Sequence, residues 1–216
     1  MKNTRILIAD DHEIVRHGVR ALIEPHDGLT VCAEVSNGRE AVVQALKLKP
    51  DVVIMAITMP VLNGVEATRQ IRASLKDTEV IMFTRHDNED LVRQVLAAGA
   101  RGYVLKSDAK KFLLVAIEAV RDHRLFLSSK VSRLVLEGYL KGNHHPSANG
   151  RQTLTPRERE IVQLVAEGRS SKDVARHLGI STKTAETHRQ KIMAKLKLHN
   201  ISDIVRYAIR NHIIRA

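Results

Sequence analysis

The hydrophobic pattern divides the chain into two parts that are built differently. In the first half, five short apolar runs alternate with segments whose apolar residues recur every three or four positions. Uninterrupted short runs are typical of strands buried on both faces, and the three-to-four spacing is typical of amphipathic helices. Strands that alternate with helices through short connections predict a parallel sheet covered by helices on both faces. The predicted strands are Arg5–Ala9, Leu29–Val35, Val52–Met55, Glu79–Phe83 and Gly102–Leu105.

The second half carries helical patterns only. Thr155, Pro156 and Glu158 have the spacing of a helix N-cap, a first-turn proline and a capping box. Four helices are predicted, over residues 155–167, 171–178, from Ser181 or Thr182 to 196, and over 201–209, and Gly179 forms the turn between the second and third. Two helices joined by a glycine-containing turn, the second of them basic, predict a helix-turn-helix that reads the major groove of DNA.

The connection between the two parts predicts three segments: residues 1–124, a linker at 125–150, and residues 151–216. Ser128–Leu140 has the spacing of a short amphipathic helix, and residues 141–150 are rich in turn formers, which predicts a flexible linker. His144 and His145 lie in that linker, and two adjacent histidines without partners are better interpreted as solvated than as a metal site.

Charge changes this picture by pointing to a partner. The formal net charge is +11, with 17 Lys/Arg against 16 Asp/Glu in residues 1–121 but 14 against 6 in residues 151–216. A basic C-terminal part indicates a polyanion such as nucleic acid. Cys32 is the only cysteine and is interpreted as a small core residue. The sequence shows neither a signal peptide nor a long apolar segment, so we expect a soluble cytoplasmic protein without membrane contact.

Polar residues follow three of the predicted strands and converge on position 56. Asp10 and Asp11 follow the first strand, Thr84 the fourth and Lys106 the fifth, while the third delivers Ala56. Carboxyl ends of parallel strands form the functional edge of an open sheet. A single such residue could merely cap a helix or solvate the edge, but four on one edge favour a pocket. Its central residue, Ala56, contributes no polar group.

Together with the Met59-Pro60 turn and Tyr103, these residues resemble the receiver domain of bacterial two-component response regulators over about the first 120 residues. The resemblance implies a flavodoxin-like five-stranded sheet of order 2-1-3-4-5. In the family, the residue three before the methionine is the phosphoacceptor aspartate, which corresponds here to Ala56. The resemblance also implies Asp11, supported by Asp10, and the Thr58 carbonyl as Mg²⁺ ligands. It implies further that Lys106 pairs with the phosphoryl group, that Thr84 hydrogen-bonds it, and that Tyr103 turns inward as the readout.

Ala56 removes both the nucleophile and one metal ligand, so we expect weak or absent Mg²⁺ binding and no covalent phosphorylation. Two explanations stay open. The receiver works naturally without phosphorylation, or the substitution was engineered to hold the protein unphosphorylated. The presence of Asp10, Asp11, Thr84 and Lys106 favours the second, because a receiver that no longer used phosphorylation would be free to lose them.

The C-terminal run from Leu154 to Leu196 resembles the LuxR-type DNA-binding domain. Ala185, His188, Ile192 and Leu196 recur at helical spacing and should face the core. By resemblance, Glu186, Thr187 and Gln190 point into the groove, where their groups suit base edges. Alternatively, Glu186 only pairs with Lys183 or Arg189. The remaining predicted DNA-binding residues are Lys183, Thr184, Arg189, Lys191 and Lys195, with the basic ones on phosphates.

Joined, the two resemblances imply a non-enzymatic transcription regulator of the NarL/FixJ family. Its implied partners are double-stranded DNA, on which it forms a homodimer, and a histidine kinase. In this family the resting receiver covers the recognition helix or keeps the protein monomeric. The alternatives are an atypical regulator that needs no phosphorylation and a receiver-type docking module whose basic tail binds acidic partners non-specifically.

Overall fold

The computed structural model describes residues 3–140 and 154–215. Residues 141–153, with the predicted flexible linker and the His144–His145 pair, lie outside the described residues, as do the first two residues and the last.

Within the described residues, six parallel strands form one sheet in the order β2-β1-β3-β4-β5-β6. The predicted fold and the order of its first five strands are confirmed, but the predicted count of five is wrong. Two residues assigned to the linker pair in parallel with Gly102 and Tyr103 as a sixth strand, which is too short to leave an apolar run in the sequence. The strands are β1 (Thr4–Ala9), β2 (Leu29–Val35), β3 (Val52–Met55), β4 (Glu79–Thr84), β5 (Gly102–Leu105) and β6 (Phe126–Leu127).

Helices cover both faces of this sheet and enclose two apolar cores. Leu7 and Met55 point into one core, and Ile8 and Ile54 point into the other, as the alternation of side chains along a strand requires. Cys32 is partly buried against the first core, as predicted. The helices are α1 (Glu13–Ile23), α2 (Gly38–Leu48), α3 (Gly64–Ser74), α4 (Glu89–Ala97), α5 (Ala109–Arg121) and α6 (Ser129–Leu140).

Helix α6 is the amphipathic helix expected in the linker. Its Val131 is fully buried and belongs to the same core as Leu91 of α4, and Val135 packs against that core from the edge. The helix therefore packs on the sheet-containing part of the molecule.

The C-terminal part contains the four predicted helices. The capping box of Thr155 and Glu158 is present at the start of α7, and Gly179 ends α8 in the left-handed conformation at φ 63°. Leu164, Val174, Ile192 and Ile204 each contribute to a separate core. The helices are α7 (Pro156–Ala166), α8 (Ser171–Leu178), α9 (Thr182–Leu196) and α10 (Ile201–Arg210).

One close backbone approach fixes the loop after β3. A Cβ on Gly64 would lie 1.9 Å from the carbonyl oxygen of Ala56, so α3 can begin against the end of β3 only with glycine there. Within this loop, Val61 has φ 69°, a conformation that β-branched residues rarely adopt.

None of the helices in residues 3–140 and 154–215 combines the length and the apolar character that a bilayer span requires.

Candidate phosphorylation pocket and DNA-binding helix

Asp10 is the most deeply buried acid of the pocket, with 1% of its surface exposed. Lys106, which follows β5, forms an ion pair with its Oδ2. Its Oδ1 accepts a hydrogen bond from the backbone N–H of His12 at 3.0 Å. A buried carboxylate needs such partners, because desolvation of an unpaired charge is costly.

Asp11 pairs with a residue from the other end of the chain. Its two carboxylate oxygens form a bidentate ion pair with Arg215, with Nη1 at 2.8 Å and Nη2 at 2.9 Å. The same guanidinium donates from Nε to Oγ1 of Thr58 at 3.1 Å and lies 3.0 Å from Nε2 of His12. The position of Arg215 in this pocket was not predictable, because this arginine belongs to no motif and to no periodic pattern in the sequence.

Ala56 lies at the centre of the pocket and is 2% exposed. A small cavity borders it, lined by residues that include Thr58, Thr84, Lys106 and Arg215. Of the predicted residues, Thr58, Thr84 and Lys106 thus lie around position 56, and Asp10 joins them through its ion pair with Lys106. The side chain at position 56 itself is a methyl group. No group on that side chain can attack phosphorus or bind a cation.

Tyr103 is fully buried, and its hydroxyl donates to the carbonyl oxygen of His86 at 2.8 Å. Burial, together with the nearby charge of Asp87, raises the pKa of Tyr103 well above its ordinary value, so it stays a neutral donor. The Thr84 hydroxyl accepts from the backbone N–H of His86 at 3.1 Å. Both side chains thus hold the backbone of the β4–α4 loop at His86.

The loop that follows Ala56 docks on α7 through one buried glutamine. Gln163 is 0% exposed, donates to the Met59 carbonyl at 2.8 Å and accepts from the Asn63 N–H at 2.7 Å. The Val61 N–H donates to the Glu167 carboxylate at 3.1 Å, and the Val61 side chain packs against the C-terminal core. The loop that follows Ala56 is therefore part of the contact between the two halves.

Ion pairs extend this contact along α7. Arg159 lies 3.5 Å from the buried carboxylate of Glu66 on α3, and Arg39 lies 3.5 Å from Glu160. At the pocket end, the rings of His86 and His212 lie 5.1 Å apart. None of these contacts was predictable from the sequence, because each depends on how the two halves pack.

Helix α9 presents its predicted groove face to solvent. Ala185 and Ile192 are buried on its inner side, with His188 half-buried between them. Glu186 and Gln190 are exposed, and within the described residues no ion pair joins Glu186 to Lys183 or Arg189. In this arrangement the receiver docks on α7 and on the C-terminal end, so the first of the two expected resting states, a covered recognition helix, is not the one seen, and the second, a monomer, stays a prediction. The other exposed members of the set are Lys183, Thr184, Thr187 and Lys191.

Two of the predicted DNA-binding side chains have partners within the protein. The Thr187 hydroxyl donates to the Lys183 carbonyl of its own helix at 2.9 Å. Lys195, in contrast, places its ammonium 2.8 Å from the capping-box carboxylate of Glu158 on α7. That pair joins α7 to α9, which makes a structural role for Lys195 a better interpretation than phosphate binding.

Two protein families match this chain, one over the sheet-containing part and one over the C-terminal helices. The model for the response regulator receiver domain matches residues 6–118, and the model for bacterial regulatory proteins of the luxR family matches residues 152–208. This chain belongs to the DNA-binding response regulators of the LuxR family.

Related response regulators match along nearly the whole chain. Transcriptional regulatory protein LiaR of Bacillus subtilis (strain 168) is 37% identical over 97% of this chain and 99% of its own length. RcsB from Salmonella enterica serovar Typhimurium, solved bound to a promoter with phosphomimetic BeF₃⁻, is 28% identical, covers 98% of both chains and gives a TM-score of 0.60. A structure of two RcsB dimers on two parallel DNAs is 27% identical, covers 95% of this chain and 98% of RcsB, and gives 0.59.

Receiver domains hold Mg²⁺ in their acidic pocket, and the donors here have suitable chemistry. Ligand atoms of Asp10, Asp11 and His12 lie within 4.8 Å of one another, and the Thr58 carbonyl faces the same space. Hard cations favour such oxygens. In this conformation, however, Lys106 already neutralises Asp10 and Arg215 neutralises Asp11. Asp11 and the Thr58 carbonyl would hold the ion once the guanidinium had left, and the ion would then supply positive charge for phosphoryl oxygens.

Proposed function

We propose that this protein is a cytoplasmic transcription regulator that binds double-stranded DNA as a homodimer through α9, with a receiver that accepts no phosphoryl group at position 56. The observation that carries the DNA-binding part is the exposed polar and basic face of α9 opposite a buried apolar face. RcsB, a relative of similar build, is solved as dimers on DNA, which supports the same arrangement here.

Within this proposal, Glu186, Thr187 and Gln190 read bases. A glutamate accepts from the cytosine amino group, and a glutamine pairs with adenine. Because the Thr187 hydroxyl is bonded to its own helix, its methyl group is the part left to meet a thymine methyl. Lys183, Arg189 and Lys191 contact phosphates, which positions the helix without specifying sequence.

DNA selection with the full chain tests this assignment. A pool of random duplexes should yield a palindromic site, since a symmetric dimer reads two half-sites about one helical turn apart. Gln190→Ala should relax the preference at one base pair of each half-site, a loss of about 1–3 kcal/mol of discrimination. Recovery of no preferred sequence would instead favour the docking module with a non-specific basic tail.

Intact-mass measurement tests the receiver part. With acetyl phosphate and a divalent cation, the chain with Ala56 should keep its mass, because a methyl group cannot accept phosphorus. Ala56→Asp should gain one phosphoryl group, since Asp10, Thr84 and Lys106 still surround that position. A stable phosphoryl group on another aspartate of the unaltered chain would contradict the proposal. Docking of a histidine kinase, which the receiver implies, needs no phosphoacceptor and can be measured separately.

A further inference from the structure

Arg215 touches the oxygens that the receiver resemblance assigns to the metal ion. Its two terminal nitrogens lie 2.8 and 2.9 Å from the Asp11 carboxylate oxygens, and Nη2 also lies 3.4 Å from the Thr58 carbonyl oxygen. Its Nε donates to the Thr58 hydroxyl at 3.1 Å. A planar guanidinium suits this two-pronged contact better than the point charge of a lysine does.

The charges of the pocket leave no place for an additional cation next to this arginine. Two carboxylates, Asp10 and Asp11, are paired with two side-chain cations, Lys106 and Arg215, and a third cationic residue, Arg85, also lines the cavity. Position 56 adds no negative charge. A divalent ion held by Asp11 and the Thr58 carbonyl would lie against the guanidinium in a partly buried site, where repulsion between like charges is weakly screened.

We propose that Arg215 is a built-in substitute for the divalent cation, so that metal binding and docking of the C-terminal segment on the receiver exclude each other. Binding of Mg²⁺ displaces Arg215 and releases the end of the DNA-binding domain from the pocket. This inference rests on the receiver assignment in the proposed function. It requires no phosphoryl transfer, so it operates with Ala56 in place.

Coupling of this kind is reciprocal. If docking of Arg215 weakens Mg²⁺ binding by a given factor, Mg²⁺ weakens docking by the same factor. Removing the guanidinium should therefore strengthen Mg²⁺ binding, even though residue 215 is far from Asp11 in sequence. A residue that merely stabilised the fold would not have this effect.

The test is a Mg²⁺ titration of the full chain, followed through the backbone amide resonances of residues 10–12 and 213–215. Ionic strength is held constant with KCl, because salt alone weakens ion pairs. Arg215→Ala should bind Mg²⁺ roughly tenfold more tightly, which corresponds to about 1.4 kcal/mol of coupling. In the unaltered chain, Mg²⁺ should shift the resonances of residues 213 and 214 to the positions that they have in Arg215→Ala. In Arg215→Ala itself, Mg²⁺ should leave the resonances of these two residues unchanged.

Arg210→Ala is the matched control, since it removes one positive charge from an exposed position on α10. It should bind Mg²⁺ as the unaltered chain does, whereas Arg215→Lys should fall between the two. The same comparison in the Ala56→Asp background, which adds a third carboxylate, should again show tighter Mg²⁺ binding when Arg215 is replaced by alanine.

Equal Mg²⁺ affinity with and without Arg215 would overturn the proposal, as would unchanged resonances of residues 213 and 214 at saturation. Absence of Mg²⁺ binding from Arg215→Ala in both backgrounds would overturn it as well. The proposed function is tested separately, by DNA selection and by phosphorylation of Ala56→Asp, so failure of one does not imply failure of the other.

Discussion

Lys191 and Lys195 lie one helical turn apart on α9, yet the structure gives them different surroundings. Lys191 is exposed, whereas Lys195 is 25% exposed and paired with Glu158 at 2.8 Å. Burial raises the pKa of Glu158, but hydrogen bonds from Lys195 and Thr155, with the charge of Lys195, outweigh it and hold the pKa below its ordinary value. The carboxylate of Glu158 is therefore a stabilising partner at neutral pH.

Alanine substitutions should separate the two lysines. Lys191→Ala should weaken binding to all DNA sequences alike and reduce the salt slope by about one unit, because one phosphate contact is lost. Lys195→Ala should instead lower the free energy of unfolding by about 1–2 kcal/mol, since it breaks a partly exposed, charge-assisted hydrogen bond. Binding at several salt concentrations and denaturant unfolding measure the two effects. A reduced salt slope with unchanged stability in Lys195→Ala would show that Lys195 contacts a phosphate instead of stabilising the fold.

Linkage gives the second of these expectations a pH dependence. A carboxyl group whose pKa is depressed in the folded state contributes stability above its unfolded pKa of about 4.5. That contribution is lost as pH falls through the folded pKa. Unfolding of the unaltered chain and of Lys195→Ala should therefore converge on acidification below that range. Stability curves that stay parallel down to acid pH would show that the pair contributes nothing.

Roles that depend on helical spacing could be predicted from the sequence, and roles that depend on tertiary packing could not. The inner face of α9 was predictable, because helical spacing alone separates Ala185 and Ile192 from Gln190. The pair between Lys195 and Glu158 was not, because it requires the packing of α7 on α9. Arg215 was unpredictable for the same reason on a larger scale.

At the scale of elements, α7 differs from an ordinary amphipathic helix because both of its sides are covered. Ile161 and Leu164 pack into the C-terminal core, while Glu160 and Gln163 are buried against the receiver. In the sequence, glutamate and glutamine at these positions indicate a solvated face. The short strand β6 was missed for a related reason, since two residues cannot display a period. Long apolar runs and helical spacing, in contrast, were sufficient for the first five strands and for all four C-terminal helices.

Gln163→Ala should open the contact between the two domains. The substitution leaves the Met59 carbonyl and the Asn63 N–H without their partner, and each unsatisfied buried group costs about 1–3 kcal/mol. The open form, in which water reaches both groups, avoids that cost. Small-angle X-ray scattering should show a larger radius of gyration at equal protein concentration.

Gln190→Ala is the control for that experiment, since the residue is the same but its side chain is exposed on α9. It should leave the radius of gyration unchanged and alter base preference, while Gln163→Ala should do the reverse. An unchanged radius in Gln163→Ala would mean that the remaining contacts, including Glu66 with Arg159, hold the domains together without it.

At the scale of the whole molecule, the docked arrangement concentrates positive charge and histidine around one edge of the receiver. Burial, the nearby His212 and the charges of Arg85 and Arg215 all lower the pKa of His86, and the more weakly acting Asp87 opposes them. Two of these, His212 and Arg215, come from the DNA-binding domain. Protonation of His86 is therefore less favourable when the domains are docked than when they are apart.

Acidification should accordingly favour the open form. The pKa of His86 is lowered in the docked state, so His86 does not weaken docking while it is neutral in both forms, at pH values above its ordinary pKa of 6.5. As pH falls below that value, the open form takes up the proton first, and docking weakens progressively until His86 also titrates in the docked form. The radius of gyration should thus rise between pH 7.5 and 5.5 at constant ionic strength. His86→Asn should reduce this pH response while leaving His12, the other histidine beside Arg215, in place. A full response in His86→Asn would show that His86 is not the group responsible, and no response in the unaltered chain would show that docking is not linked to protonation of His86.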